Sequence, residues 1–437
     1  MTDKNMRIIN YALKTCGYYP LRPIQSWMIN THFNKAKSTM MNIGALYKLD
    51  NKIDLEKSAE ILNEIANEYD IFRSRLVFHE ETGDLCQRFD GEIFPVKVEK
   101  ISDEDFEKLK KNLRKPYQII NNPLYQFRLF ETPTAKYAYL DFYHAMFDGV
   151  SAAFIFLHDA DMRYKGKKIS RKPPKYSDFV LSELEISPEE LVEGNKYWRD
   201  MLKDFDVEKH LPPADIHGAE NWKSNHFLAE FKNINQNYFL ENPRKDEVFF
   251  LGASMLAIAK SAGQKKSVMS RIHHGRTNAK ERRIFGLMLE QFPISFDFEK
   301  NITVKEFLDG LENKMVEGMK YRKSLGTVYR EGLQDDCATF IFQKKAMGVS
   351  LGADSGEITY GDLPLTMIEM PKNKFSAAEN SLDIEFFMMD AGNYVAGLDY
   401  DASRYSKNAM KNFAETLDEI ILQLQDENKY IFEILNR

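Results

Sequence analysis

The stretch Lys136–Tyr164, KYAYLDFYHAMFDGVSAAFIFLHDADMRY, changes its period halfway along. Ala138, Leu140, Phe142 and His144 fall on one face and Tyr137, Tyr139, Asp141 and Tyr143 on the other, which is the period-two pattern of a strand. Ala145–Gly149 stops that pattern, and from Val150 the apolar residues Ala153, Phe156, Leu157, Ala160 and Tyr164 recur at helical spacing. The stretch therefore reads as a strand ending at an imidazole, then a turn, then a helix. Histidine has the side-chain pKa nearest neutrality, so His144 at the end of an apolar face suits general-base work. Asp148 on the turn can pair with an arginine and fix the loop, while Gly149 allows a backbone conformation or a close approach that a Cβ would block. A core histidine beside a helix-capping aspartate is the other reading of these residues, and this stretch alone does not choose between the two.

With 437 residues, 43% hydrophobic and 13% aromatic, the chain can bury a large core, and its length suggests two or three domains. The 60 basic and 66 acidic residues are well mixed, for a net charge of -6, which gives no electrostatic case for nucleic acid or an anionic membrane. Cys16, Cys86 and Cys337 are too few and too scattered for a disulfide framework or a zinc site, so no metal and a reducing compartment are expected. The first 25 residues carry charges throughout and no long apolar run, so neither a signal peptide nor an anchor is read there and the expected location is the cytoplasm.

Taken in order, the chain opens with Pro20-Leu21-Arg22-Pro23-Ile24-Gln25, then a strand over Asn42–Leu49 and a helix capped by Asp54 with Leu55, Ala59, Leu62, Ala66 and Tyr69 on one face. Glu68–Phe78, EYDIFRSRLVF, carries Arg73 and Arg75. Short strands at Cys86–Phe89 and Phe94–Val98 and a helix started by Ser102 precede Pro123–Phe130, which leads to the central strand. Lys165–Tyr176, KGKKISRKPPKY, is basic and proline-containing, and is read as the linker that divides domains 1–170 and 171–437. Beyond it, Ser187-Pro188-Glu189-Glu190 starts a helix that carries Tyr197-Trp198-Arg199. Strands at Lys223–Lys232 and Ser267–His273 flank a helix through Val248, Leu251, Met255 and Ile258. His273 and His274 are neighbours, so on a strand they face opposite ways and form no pair. Thr303 and Glu306 form a capping box, Cys337–Gln343 is a strand, Leu382–Met389 and Tyr394–Tyr400 a hairpin, and a helix runs on from Lys407. Leu351–Ser355 is read as a loop, and no phosphate-binding glycine loop is present.

The residues YHAMFDG resemble the His-His-x-x-x-Asp-Gly motif of the chloramphenicol acetyltransferase-like superfamily, which includes nonribosomal peptide synthetase condensation domains and CoA-dependent alcohol and amine acyltransferases. The motif's catalytic histidine falls on His144 and its aspartate and glycine on Asp148 and Gly149, while Tyr143 replaces its first histidine. By the strand alternation Tyr143 points away from His144 and is expected to be dispensable for proton transfer. Pro20–Gln25, the segment with Arg73 and Arg75, Tyr197-Trp198 and the frame Gly275, Arg276, Gly286 and Pro293 resemble further stretches of condensation domains, in the same order.

The resemblance implies an α/β fold with mixed sheets, two lobes of similar topology forming a V-shaped pseudo-dimer with a central tunnel. It makes Arg73 the first candidate partner for Asp148, with Arg22 and Arg276 in reserve, and Tyr143, Gln291 and Tyr360 candidate tunnel residues. It implies transfer of an acyl group from a phosphopantetheine thioester to a small amine or alcohol, with His144 as base or orienting group, no covalent acyl-enzyme and no bound cofactor. The donor is an acyl or peptidyl carrier protein for a free-standing condensation enzyme, or acyl-CoA for a small-molecule acyltransferase. A non-catalytic relative that binds a carrier or partner protein is the alternative of another class. A monomer is the expected state.

Overall fold

The computed structural model describes residues 16–35, 37–167, 172–203, 210–218, 222–242, 246–326, 328, 337–343, 359–370, 377–378, 380–389 and 393–435. The expected loop Leu351–Ser355, the middle of the basic linker at 168–171 and the hairpin turn at 390–392 lie outside them.

The chain divides into two compact units, Met1–Pro188 with His274–Leu289 and Met347–Ser376, and Glu189–His273 with Glu290–Ala346 and Ala377–Arg437. A single cut after residue 170 does not produce them. The helix Tyr176–Glu183, beyond the basic linker, is tied to the first unit by Asp70. The carboxylate of Asp70 accepts from Tyr176 N at 2.9 Å, Ser177 N at 3.0 Å and Ser177 Oγ at 2.7 Å. Three hydrogen bonds to a helix start outweigh a pair of prolines as a marker of where a unit ends.

The first unit is built on a six-stranded mixed sheet, in the order Thr359–Tyr360, Leu363–Ile368, Ala45–Leu49, Lys136–Phe142, Tyr125–Glu131 and Val98–Lys100. All its pairings are antiparallel except the last. Lys136–Phe142 lies inside this sheet, and both of its faces are covered. Tyr137 stacks on Phe106 of the helix Asp103–Lys110 at 4.1 Å between ring centroids, and Tyr139 joins Leu46, Leu113 and Phe130 on that side. On the other side Ala138 and Leu140 meet Leu62 of the helix Leu55–Glu68 and Phe156, Leu157 and Ala160 beyond the motif. A two-sided core explains why both faces are mostly apolar or aromatic, Asp141 being the buried exception.

The second unit has its own six-stranded mixed sheet, in the order Glu290–Asp297, Lys266–His273, Thr339–Gln343, Leu382–Met388, Tyr394–Asp401 and Ser224–Glu230. The pairs around Thr339–Gln343 are parallel and the others antiparallel. One face packs on the helices Asp246–Ser261, Val304–Lys320 and Lys407–Leu424. Asp246–Ser261 is buried almost all round, with Gly252, Ala253, Ala257 and Ala259 giving the close approach that a central helix needs.

Val304–Lys320 starts with the expected capping box, in which Thr303 Oγ1 accepts from Glu306 N at 3.2 Å and Glu306 Oε2 accepts from Thr303 N at 2.8 Å. Thr303→Ala is expected to cost about 1 kcal/mol and to speed amide exchange in the first turn of that helix by roughly fivefold. Native-state hydrogen exchange checks this.

Candidate active site

The turn Tyr143–Gly149 is held by backbone bonds from three directions. Tyr143 N donates to Leu124 O at 2.9 Å, His144 N to Met41 O at 2.8 Å, and Leu287 N to Met146 O at 2.7 Å. Gln25 Nε2 donates to Ala145 O at 3.1 Å, and Arg22 Nη1 to Leu287 O at 2.7 Å. The opening stretch Pro20–Gln25 thus bonds both the turn and the segment behind it. Beneath the turn, Phe147 packs between Phe72, Phe142 and Phe285 at centroid distances of 5.2 to 5.6 Å.

His144 is half-buried, and its Nδ1 lies 3.0 Å from Phe147 O. A carbonyl oxygen only accepts, so Nδ1 carries the proton and Nε2 presents a lone pair. That is the tautomer a base needs, fixed by the turn's own backbone.

Asp148 is 2% exposed and its carboxylate accepts four hydrogen bonds. Arg276 Nη1 donates to Oδ2 at 2.7 Å and Nη2 to Oδ1 at 3.1 Å, while Ser151 N and Met288 N each donate at 2.8 Å. Burial alone would push the carboxyl up. The Arg276 guanidinium and the two backbone donors outweigh it and hold the pKa below the usual carboxylate value. With every oxygen engaged, Asp148 is a structural anion and no proton acceptor.

The partner of Asp148 is Arg276, so the expectation that put Arg73 first is corrected. Arg73 bonds Asn67 Oδ1 at 2.9 Å and Gly91 O at 3.3 Å. Arg22 lies 3.6 Å from Glu183 and donates to Leu287 O. The family resemblance favoured Arg73, but the short strand that follows it, Arg75–Phe78, carries the chain into a separate three-stranded sheet.

Arg276 is itself 3% exposed and also donates to Ser151 Oγ at 2.8 Å and to the carbonyls of His274, Ile284 and Gly286. Glycines admit this segment. A Cβ on Gly275 would lie 1.7 Å from Met288 O and one on Gly286 2.3 Å from the Tyr176 ring, both at positive φ. His274 is exposed and its Nδ1 accepts from Arg276 N at 3.0 Å, so it acts as a loop residue, apart from His273 at the strand end.

The remaining expected residues fall elsewhere. Tyr143 is fully buried, with its ring 5.4 Å from His32 and 5.5 Å from Tyr117, so it lines no solvent-filled space. Burial pushes its phenol far above the ordinary value. Tyr360 donates to Ser58 Oγ at 3.3 Å and covers an apolar cavity of about 40 Å³ in the first unit, lined by Leu62, Ala138, Leu140 and Phe156. Gln291 is buried in the second unit on the strand Glu290–Asp297, opposite Ile272. Gly149 has φ -59°, which any residue adopts, so backbone strain is not its role; it is exposed, and what it contributes is the absence of a side chain.

After Gly149 the chain forms a π-helix, Val150–Phe156, before the α-helix Leu157–Tyr164. Such wide turns recur at functional sites. Ser151 was missed by sequence reasoning. Its hydroxyl accepts from Arg276 Nη2 and from Gly286 N at 2.9 Å and donates to Gly286 O at 2.8 Å, bridging the motif to the Arg276 segment. The one available signal was a lone hydroxyl in the run VSAAFIF. Among the described residues no group of three or more His, Cys, Asp or Glu side chains is placed to hold a metal, and no helix is long and apolar enough to cross a membrane.

The condensation-domain family model matches residues 16–429. Tyrocidine synthase 3 of Brevibacillus parabrevis is 19% identical over 322 residues, which cover 71% of this chain and only 5% of that protein. The condensation domain of the monacolin K polyketide synthase MokA superposes with a TM-score of 0.75 at 18% identity, over 95% of this chain and 99% of that one. The starter condensation domain of the rhizomide synthetase RzmA, solved as a mutant with C8-CoA, does so with a TM-score of 0.72 at 13% identity, over 96% and 98%. These likenesses bear out the mixed α/β, chloramphenicol acetyltransferase-like fold.

Arg276→Ala is expected to cost about 3–5 kcal/mol, because it leaves a buried carboxylate unpaired, whereas Arg73→Ala should stay within about 1 kcal/mol. Urea unfolding checks both. Because the Asp148 carboxyl is held low when folded, its contribution is complete above the unfolded value near pH ~4 and is lost as pH falls through the folded value. Asp148→Asn should remove that part of the acid limb of the stability curve.

Proposed function

The chain belongs to the condensation-domain family, and on that footing we propose that it moves an acyl group from a phosphopantetheine thioester to an amine or hydroxyl acceptor. The donor is an acyl or peptidyl carrier protein, and the protein works as a cytoplasmic monomer without a bound cofactor. The observation that carries the reading is the His144 imidazole, with Nδ1 bound to Phe147 O and Nε2 presenting its lone pair, on a turn anchored by Asp148 and Arg276.

In this mechanism Nε2 takes the acceptor's proton, or orients the acceptor, as its nitrogen or oxygen attacks the thioester carbonyl. The new C–N or C–O bond forms, the C–S bond breaks, and the imidazolium returns the proton to the leaving thiolate. Backbone N–H groups at the start of the segment after Gly149 serve the tetrahedral oxyanion. Ser151 N and Ala152 N already donate to Asp148, which leaves that work to Gly149 and Val150.

A CoA-dependent acyltransferase is the second reading, favoured by the neighbour solved with C8-CoA. Intact-mass detection of acyl transfer, with acyl-CoAs and acyl-carrier proteins offered against pooled amines and alcohols, separates the two. His144→Ala should lower turnover by about 10²–10⁴ while leaving the unfolding midpoint unchanged. A wild-type rate in that variant would sink the mechanism. Absence of product with every donor would shift weight to a non-catalytic, carrier-binding relative.

A further inference from the structure

A cleft of about 410 Å³ opens in the first unit where the loops at Asp90–Glu92 and Asn121–Pro123 meet the chain at Ser74 and Arg75. That is room for a small molecule. Both loops are tied to this chain by backbone bonds. Gly91 N donates to Arg73 O at 2.8 Å, and Asn121 N to Leu76 O at 2.8 Å. A Cβ on Gly91 would lie 2.9 Å from Arg73 O, so only a glycine lets the first loop come this close. Asn121 has φ 55°, a left-handed conformation that asparagine tolerates better than most residues. The walls are set by the fold, ahead of any ligand.

Arg75 is held at two of its nitrogens. Nε donates to Asp90 Oδ1 at 2.8 Å and Nη1 to Asn121 Oδ1 at 2.6 Å, which leaves Nη2 with no partner among the described residues. The side chain is 29% exposed and lines the cleft. Asp90 also accepts from Arg88 Nε at 2.8 Å, so one carboxylate serves two guanidiniums and the group keeps a net positive charge. Glu92 lines the same cleft, is exposed, and has neither an ion pair nor a hydrogen bond among the described residues. Ser74, a further lining residue, is 3% exposed, and its hydroxyl has no hydrogen-bond partner among the described residues. Buried polar atoms are ordinarily satisfied, so this one points to a group that the protein does not supply. Phe72, Phe94 and Pro123 add apolar surface, and the Phe94 side chain is largely exposed.

The cleft thus offers an uncommitted guanidinium nitrogen, an uncommitted carboxylate, an unsatisfied hydroxyl and an open aromatic ring. A simple anion would gain Arg75 and meet Glu92 as a like charge, and a simple cation would do the reverse. A zwitterion satisfies both. A carboxylate suits the planar guanidinium, and a primary ammonium brings three N–H donors to Glu92. We propose that this cleft binds a free α-amino acid with an apolar or aromatic side chain. Its carboxylate lies on Arg75, its ammonium on Glu92 and its side chain against Phe94 and Pro123, with the Ser74 hydroxyl completing the polar partners. The assignment does not depend on the acyl-transfer reading, because among the described residues Ser74, Arg75 and Glu92 make no hydrogen bond to the turn Tyr143–Gly149.

The test is calorimetric titration of the full chain with L-phenylalanine, with phenylpropionate, which lacks the ammonium, and phenethylamine, which lacks the carboxylate, as counterparts. Phenylalanine should bind at least about tenfold more tightly than either. Glu92→Gln, an exposed and nearly isosteric change, should weaken phenylalanine about tenfold without weakening phenylpropionate. Ser74→Ala should weaken it by about threefold or more. His144→Ala alters the proposed acyl-transfer site and should leave the affinity unchanged, which separates binding in this cleft from binding of an amine acceptor beside the imidazole. Equal affinity for phenylalanine and phenylpropionate, indifference to Glu92→Gln, loss of binding in His144→Ala, or no saturable binding at ~10 mM would each overturn the proposal.

Discussion

Within the first unit, the carboxylate of Asp148 is the constraint on which the turn Tyr143–Gly149 depends. A buried anion needs its charge neutralised and its lone pairs filled, and Arg276, 128 positions later, does both together with Ser151 N and Met288 N. Arg276 could not reach it unless residues 274–289 belonged to the same unit, and they do. Gly275, Gly286, Ser151 and Tyr176 are shaped to that requirement: two glycines without clashing Cβ atoms, a hydroxyl that bridges, and a ring against which Gly286 lies.

That arrangement divides the motif between two roles. Asp148 is saturated and serves position, while His144 is left with one nitrogen bonded to the turn and the other presented. The tautomer follows from Phe147 O, so no carboxylate is needed to orient the imidazole. The motif's first position faces the opposite side of the strand from His144. Tyr143 packs there with His32 and Tyr117 in a buried layer.

Much of this was legible in the chain. The strand Lys136–Phe142, the helices begun by Asp54, Ser102 and Thr303, the hairpin over Leu382–Asp401 and the helix Lys407–Leu424 all stand near where periodicity and capping residues put them. His144, Asp148 and Gly149 sit on one turn, as their spacing required. Less legible were features that no local pattern encodes. Phe94–Val98 forms no strand until Val98, and the segment after Gly149 takes π rather than α geometry. The basic linker looked like a boundary, yet Asp70 draws the next helix into the first unit.

The sequence by itself determined the element types, the motif and the chemistry of its imidazole, because side-chain period, caps and turn residues act over a few positions. Only the tertiary structure decided that Arg276 rather than Arg73 neutralises Asp148, that Leu363–Ile368 extends the sheet beside Ala45–Leu49, and that Asp90 and Asn121 both bond Arg75. Each is a contact between segments far apart in the chain. Such partners are selected by burial and charge in three dimensions, and nothing in the local spacing of residues records them.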